Sequence, residues 1–168
     1  YWTSRGWGVV DVNYGGSTGF GRDYRERLNG CWGVVDVADC AAAAQALIEA
    51  GRANPGKIAI EGGSAGGFTT LAALCFTKVF RAGACRYAVC DLTAMAEDTH
   101  RFEASYVDGL VGEWPAERSL YEQRSPLLHA DQIRCPVLFF QGLQDKVVLP
   151  EQTERMAEAL QSNGIPVE

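Results

Sequence analysis

Histidine is scarce in this sequence, and no metal-binding pattern accompanies it. There are only two histidines among 168 residues, and none of the six cysteines forms a C-x-x-C pair. Zinc sites and dithiol redox sites need closely spaced ligands of this kind. We therefore expect no metal and no cofactor. The cysteines are interpreted as reduced core residues of a cytoplasmic protein, with disulfides as the alternative.

Long apolar runs and basic clusters are also absent from the sequence. No apolar stretch has the length of a transmembrane helix and no signal peptide is visible, so no membrane association is predicted. The net charge of -6 argues against nucleic acid as a partner. With 47% hydrophobic and 21% charged residues, the composition is that of a soluble globular domain.

The most informative stretch of the chain has the sequence KIAIEGGSAGGF and runs from Lys57 to Phe68. Its alternating apolar residues predict a short buried strand, and the small and apolar residues that follow predict a helix over 65–75. Between them lies the G-x-S-x-G pattern of a nucleophile elbow, in which a serine occupies a tight strand-to-helix turn. We expect Gly62 and Gly66 to prevent a steric clash across that turn.

The elbow predicts a nucleophile and part of an oxyanion hole. Ser64 is expected to present its hydroxyl at the carboxyl edge of the sheet, where open α/β sheets bind their ligands. The backbone N–H of Ala65, at the start of the next helix, is expected to donate to a developing oxyanion. The alternative is a glycine-rich turn that merely begins a helix.

Strands and helices alternate along the rest of the chain. Further strands are predicted over 7–14, 84–90 and 136–141, and helices over 32–51, with Asp36 and Asp39 on its polar side, and 150–163. This order predicts an α/β-hydrolase fold, a mostly parallel sheet with helices on both faces. Because such domains commonly exceed about 200 residues, we expect residues 1–168 to be a partial catalytic domain, truncated at both ends.

An elbow serine needs an acid and a base, which follow it in this fold in the order Asp or Glu, then His. Asp145 and Asp91 each follow a predicted strand, and we favour Asp145 because its loop contains glycine. Both histidines precede Asp145, so neither fits the order. His100 is expected to be solvated or ion-paired, and His129 to pack near a helix end. The catalytic histidine is therefore expected beyond residue 168.

Four stretches together carry a family resemblance. They are NYGGSTGFGR at 13–22, GGSAGG at 62–67, SPLLH at 125–129 and QGLQDKVV at 141–148. The chain resembles the catalytic domain of the prolyl oligopeptidase family of serine peptidases, closest to its acylaminoacyl-peptidase and dipeptidyl-aminopeptidase-like branch. The resemblance implies that Ser64 is the nucleophile and Asp145 the triad acid. It also implies a histidine just past residue 168, and a His-Gly-Gly-Pro loop and usually a β-propeller before residue 1.

Phe20 departs from part of that family. In the prolyl oligopeptidase and dipeptidyl-peptidase relatives, the matching position is a tyrosine whose hydroxyl donates to the oxyanion, and phenylalanine has no such donor. The resemblance therefore implies an oxyanion hole made of backbone N–H groups, one from Ala65 and one from the upstream loop. Phe20 is then expected to be a packing or pocket-wall residue.

Three functions compete at this point. The first is a serine peptidase that hydrolyses short peptides through an acyl-enzyme on Ser64, the second a carboxylesterase of the same fold. The third is a non-catalytic binding module, which the presence of both the serine and the acid disfavours. Candidates for an apolar wall of a peptide-binding pocket, with core packing as the alternative, are Met95, Phe102, Tyr106 and Val148.

Overall fold

The protein is described by a computed structural model over residues 1–98 and 101–168, with side chains for 1–97 and 106–168. Its strands are β1 (Ala59–Gly63), β2 (Ala82–Arg86) and β3 (Val137–Phe140). Its α-helices are α1 (Arg22–Glu26), α2 (Val35–Glu49), α3 (Ala65–Phe76), α4 (Leu92–Asp98), α5 (Arg101–Leu110), α6 (Arg118–Arg124) and α7 (Pro150–Ser162). Short 3-10 helices span Thr3–Arg5 and Pro126–Gln132.

The three strands form a parallel sheet in the order β1-β2-β3. The register pairs Glu61 with Ala84 and Gly83 with Val137. Among the described residues, an isolated parallel bridge joins Val137 to Val167. Since parallel strands end at one edge, the loops after β1, β2 and β3 all leave the sheet on the same side.

Helix α3 forms the centre of the hydrophobic core. Nine consecutive residues of α3, from Gly67 to Cys75, are buried, so the helix is covered on all sides. It lies close to the sheet because β2 has a glycine there: a Cβ atom on Gly83 would lie 2.5 Å from Cδ1 of Leu74. Burying a leucine side chain of this kind stabilises the fold by about 1.5–3 kcal/mol. The predicted elbow helix is confirmed, and the strand before it is present, but no residue of β1 is fully buried as its apolar pattern predicted.

The two faces of the sheet differ in their surroundings. Gly83, Cys85 and Val137 are buried on the face that packs against α3. On the opposite face, Phe140 is exposed and Glu61 forms a partly exposed ion pair with Arg86 at 3.5 Å. This part of the chain therefore leaves one face of the parallel sheet open to solvent.

Residues 7–14 do not form the predicted strand. They pair with no strand in the part of the chain that the structure describes, and Val9 and Val10 are both more than half exposed. An extended segment needs a neighbouring strand for its backbone N–H and C=O groups. The strand prediction for residues 7–14 is wrong for the described residues, because the local sequence does not show whether a neighbouring strand is present.

The predicted strand at 84–90 begins earlier and ends earlier than expected. It ends at Arg86 because Tyr87 has a φ of 39°, in the left-handed region that interrupts an extended backbone. The N–H of Tyr87 still donates to the carbonyl of Phe140 at 2.8 Å. The chain therefore turns away from the sheet immediately beside the elbow.

Candidate active site

Ser64 occupies the turn between β1 and α3 in a strained backbone conformation. Its φ of 53° and ψ of -119° are uncommon for a residue with a side chain. The N–H of Ser64 donates to the carbonyl of Arg86 in β2 at 2.9 Å, and its carbonyl accepts the N–H of Phe68 at 3.1 Å. Hydrogen bonds on both sides thus hold the residue in this conformation.

The glycines around Ser64 have unequal roles. A Cβ atom on Gly62 would overlap the carbonyl group of Gly66, so only glycine fits there. The expectation that Gly66 also prevents a clash is wrong, because a Cβ atom there would meet no atom within 4 Å. Gly67 is tight instead: its Cβ atom would lie 2.5 Å from Cβ of Ala88. Glycine is therefore required where β1 approaches the start of α3, at Gly62, and where α3 approaches Ala88, at Gly67.

Ala65 is the first residue of α3 and is exposed. The N–H groups in the first turn of a helix have no partner within the helix, and the helix dipole favours negative charge at that end. The N–H of Ala65 therefore lies where an anion beside Ser64 would be stabilised.

Asp145 lies in the loop after β3 and is half-buried. Its Oδ1 accepts the backbone N–H groups of Val147 at 2.9 Å and Val148 at 3.1 Å, and its own N–H donates to Gly142 at 3.1 Å. Within the described ranges, no hydrogen bond involves its Oδ2 atom. The carboxylate is thus fixed by one oxygen while the other can accept a further N–H.

The strand order places Ser64 and Asp145 at the same edge of the sheet. Ser64 follows β1 and Asp145 follows β3, with β2 between them. Because adjacent strands lie about 4.8 Å apart, the strands that lead into these two loops are separated by roughly 10 Å. This gap leaves room for a side chain that bridges the two residues by hydrogen bonds.

Asp91, the alternative acid, has both carboxylate oxygens occupied. Its Oδ1 accepts the N–H and the hydroxyl of Thr93 and the N–H of Ala94, which caps α4. Its Oδ2 accepts a charged hydrogen bond from Arg155 in α7 at 3.1 Å. Asp91 therefore joins two helices, and this structural role favours Asp145 as the acid.

His129 lies at the wrong end of α3 to act on Ser64. Its ring packs edge-on against Phe76 with centroids 5.2 Å apart, and Phe76 is the last residue of α3. Ser64 precedes the other end of this 12-residue helix, which is about 18 Å away at 1.5 Å per residue. His129 therefore has the packing role that its sequence context predicted. His100 lies outside the described residues.

The candidates for the pocket wall lie in different surroundings. Val148 is 5% exposed within the hydrophobic core, which favours the packing alternative for this residue. Met95 is half-buried against the core, and Tyr106 is exposed. The side chain of Phe102 lies outside the described residues. Phe20 is exposed, with its ring 5.3 Å from that of Tyr24. The wall assignment stays a prediction.

The buried cysteines Cys75 and Cys85 are poor candidates for a rival nucleophile. All six thiols are free, and burial raises the pKa of both Cys75 and Cys85 to about 12. A thiol acts as a nucleophile only as the thiolate, which such a pKa makes rare at neutral pH. Over residues 1–98 and 101–168, no cluster of histidine, cysteine and acidic side chains has the arrangement of a metal site.

Two aspartates that were predicted on the polar side of the helix at 32–51 are buried or half-buried in α2. Asp36 is fully buried and accepts the hydroxyl of Thr69 in α3 at 2.5 Å. Asp39, half-buried, accepts the N–H of Gly15 at 2.8 Å. The sequence contained one hint of burial, since Asp36 lies between Val35 and Val37. Thr69, however, is 33 positions from Asp36, and Gly15 is 24 positions from Asp39.

The family comparison covers the whole chain. A model of the prolyl oligopeptidase family matches residues 1–168. A dipeptidyl aminopeptidase BIII from Pseudoxanthomonas mexicana is 34% identical over 98% of this chain and 25% of its own length. An acylamino-acid-releasing enzyme from Arabidopsis thaliana is 34% identical over 99% of this chain and 23% of its own length. The chain thus spans about a quarter of the curated relatives it matches.

Solved structures agree with the fold. A puromycin-hydrolyzing peptidase from Mycobacterium tuberculosis is 57% identical with a TM-score of 0.95, over 98% of this chain and 25% of that one. An acylaminoacyl peptidase from Pyrococcus horikoshii is 25% identical with a TM-score of 0.83, over 93% of this chain and 26% of that one. The predicted α/β-hydrolase fold is confirmed. None of the helices in the described ranges combines the length and apolarity needed to cross a bilayer.

Proposed function

The chain belongs to the prolyl oligopeptidase family, and from this premise we propose that it supplies the nucleophile and the acid of a serine peptidase that hydrolyses short peptides. The observation that carries the proposal is the strained turn at Ser64, with the N–H of Ala65 beside it. Strain of this kind persists only where the surrounding structure enforces it, and it occurs most often at functional sites.

In the proposed reaction, a histidine from outside residues 1–168 accepts the proton of the Ser64 hydroxyl as its oxygen attacks the substrate carbonyl. The N–H of Ala65 and a second donor from an upstream segment stabilise the oxyanion. The histidine then protonates the leaving amine. In the second half of the reaction, the histidine takes a proton from water as the water attacks the acyl group, and it returns that proton to the Ser64 oxygen as the acyl group leaves. Oδ2 of Asp145 accepts the other N–H of the imidazole and keeps it oriented.

We infer that residues 1–168 form part of a longer α/β-hydrolase domain. The share of the relatives that the chain spans, about a quarter, supports this inference, as does the open face of the sheet. The histidine, the second oxyanion donor and any further domain are expected in the remaining sequence. We propose a cytoplasmic location, which the six free cysteines support.

The substrates are proposed to be short peptides and related amides. Relatives described as a dipeptidyl aminopeptidase and an acylamino-acid-releasing enzyme, and a substituted puromycin hydrolase in complex with PGG, support this class. Puromycin itself is a candidate because of the 57% identity to a puromycin-hydrolyzing peptidase. Met95, Phe102 and Tyr106 are proposed to contact the residue before the scissile bond.

The test uses the full-length protein and its Ser64→Ala variant. Hydrolysis of dipeptide and acyl-amino acid anilides and of puromycin is measured, together with labelling by a fluorophosphonate probe. Ser64→Ala is expected to lower kcat by about 10⁴- to 10⁶-fold with unchanged thermal unfolding. Equal labelling or turnover in the variant would contradict the assignment. The carboxylesterase alternative predicts hydrolysis of p-nitrophenyl esters with no measurable hydrolysis of the matched anilides.

A further inference from the structure

Asp36 is a buried carboxylate that the proposed reaction does not use. It is fully buried, its Oδ1 accepts the N–H of Gly33 at 2.7 Å, and its Oδ2 accepts the hydroxyl of Thr69 at 2.5 Å. None of the ion pairs among the described residues includes it. Burial raises its pKa, because the charged form loses water. Burying a carboxyl group is unfavourable, so its partners need to satisfy both oxygens.

Thr69 links this carboxylate to the beginning of the elbow helix. Its hydroxyl, which donates to Asp36, is also 3.3 Å from the carbonyl oxygen of Ala65. Ala65 is the first residue of α3 and carries the proposed oxyanion donor. The carboxylate therefore contacts, through one hydroxyl group, the turn of helix on which Ser64 depends.

The N-terminal half of α2 also holds the glycine-rich stretch at 13–22. Asp39, one turn after Asp36, accepts the N–H of Gly15 at 2.8 Å. Gly33, the other partner of Asp36, lies in the turn that leads into α2 and has a left-handed φ of 82°. The first two turns of α2 thus fix three segments: the loop that begins at Gly15, the turn that leads into α2, and α3.

We propose that Asp36 is a positioning residue for the nucleophile elbow, acting through Thr69. The strand side of the elbow is held by the bond from Ser64 N–H to Arg86, and the helix side by the bond from Thr69 to Asp36. A strained residue needs restraint on both sides. Without the second restraint, α3 and the Ala65 N–H shift relative to the attacking hydroxyl. This inference rests on the proposed function.

The chain offers a matched control for this test. Thr70 is the neighbouring residue of α3, is equally buried, and also donates its hydroxyl, but only to Gly66 within the same helix at 2.9 Å. Thr69→Ala and Thr70→Ala therefore remove the same atoms from adjacent sites, and only the first breaks a bond between helices. Thr69→Ser restores the hydroxyl without the methyl group.

In the full-length protein, Thr69→Ala is expected to lower kcat about tenfold with KM within about twofold, since one charge-assisted hydrogen bond is lost. Thr69→Ser is expected to recover most of this loss, and Thr70→Ala to leave kcat within about twofold. Amide hydrogen exchange over residues 64–69 is expected to speed up in Thr69→Ala alone. Thermal unfolding of each variant is recorded in parallel.

Each outcome bears on the inference. Equal kcat losses in Thr69→Ala and Thr70→Ala would overturn the inference, because general packing would then explain both losses. An unchanged kcat in Thr69→Ala, with Ser64→Ala inactive, would also overturn it. Turnover that survives in Ser64→Ala would instead overturn the proposed function. If Thr69→Ala does not fold, Asp36→Asn replaces it: the amide oxygen can still accept the N–H of Gly33, but the amide NH2 group cannot accept the hydroxyl of Thr69. A fall in kcat of about threefold or more is then expected, and an unchanged kcat overturns the inference.

Discussion

At the scale of single residues, the two aspartates at the edge of the sheet differ in what their carboxylates do. Asp145 binds two backbone N–H groups with one oxygen, while Asp91 uses both oxygens to cap α4 and to pair with Arg155. The first arrangement leaves an acceptor available to an imidazole. The second serves to hold helices together.

Asp145→Asn is expected to lower kcat by about 10⁴-fold, because the histidine loses its tautomer and its charge partner. Asp91→Asn is expected to keep most of the turnover but to lower the free energy of unfolding by about 1–3 kcal/mol, since it weakens the α4 cap and a half-buried ion pair. Steady-state kinetics and urea unfolding of both full-length variants measure this. Collapse of kcat in Asp91→Asn with near-normal turnover in Asp145→Asn would reverse the assignment.

At the scale of elements, the elbow is restricted where β1 meets α3. A Cβ atom on Gly62 would overlap the carbonyl of Gly66, while one on Gly66 would meet nothing within 4 Å. Gly62→Ala is therefore expected to lower stability by about 1–3 kcal/mol or more, as overpacking does. Gly66→Ala is expected to raise stability by up to about 1 kcal/mol, because alanine favours the helix.

Differential scanning calorimetry of the two full-length variants gives the comparison. A lower melting temperature for Gly66→Ala than for Gly62→Ala would show that the strand and helix approach each other differently from the packing described. Activity is a secondary readout, because both positions adjoin Ser64.

The elements that the sequence predicted well are those with local signals. Helix α7 begins at Pro150 and is followed by Gly164 with a left-handed φ of 73°, as its proline and glycine indicate. The structure of residues 7–14, and the burial of Asp36 and Asp39 in α2, depend instead on residues that are distant in the chain. Whether a strand neighbours 7–14, or whether Thr69 reaches Asp36, cannot be inferred from periodicity, because Thr69 lies 33 positions from Asp36 in the chain.

The candidate site likewise contains residues that the local sequence predicted and residues whose roles depend on distant contacts. The serine and its turn follow from a contiguous motif, and the preference for Asp145 came from its loop, which follows a predicted strand and contains glycine. The role of Asp91 could not be predicted, because it depends on Arg155, 64 positions later. The interhelical restraint at Thr69 had no local signature, since a threonine inside an apolar helix usually signals only a bond to its own backbone.

At the scale of the whole molecule, the 168-residue chain on its own is expected to show no peptidase or esterase turnover. His129 packs against Phe76 at one end of α3, and Ser64 precedes the other end of this helix, which is about 18 Å long, so His129 cannot accept the serine proton. Exposed apolar side chains, including Trp2, Trp7 and Phe140, are expected to promote aggregation of the isolated chain.

This expectation is checked by expressing residues 1–168 alone beside the full-length protein, and by comparing soluble yield, anilide hydrolysis and fluorophosphonate labelling. Extension in both directions is expected to restore solubility and turnover together. Hydrolysis by the short chain that disappears in Ser64→Ala would mean that a histidine within residues 1–168 reaches the serine, and the assumed order of the triad would be wrong.

The positive φ of Ser64 also has a consequence for how this sequence can evolve. Glycine adopts such a conformation without strain, whereas a serine there lowers stability by about 1 kcal/mol or more. Selection for hydrolysis and selection for folding therefore favour different residues at one position. A duplicated gene copy that is no longer selected for hydrolysis would encode a more stable protein if Ser64 were replaced by glycine. Lineages that have abandoned catalysis should be recognisable by that exchange.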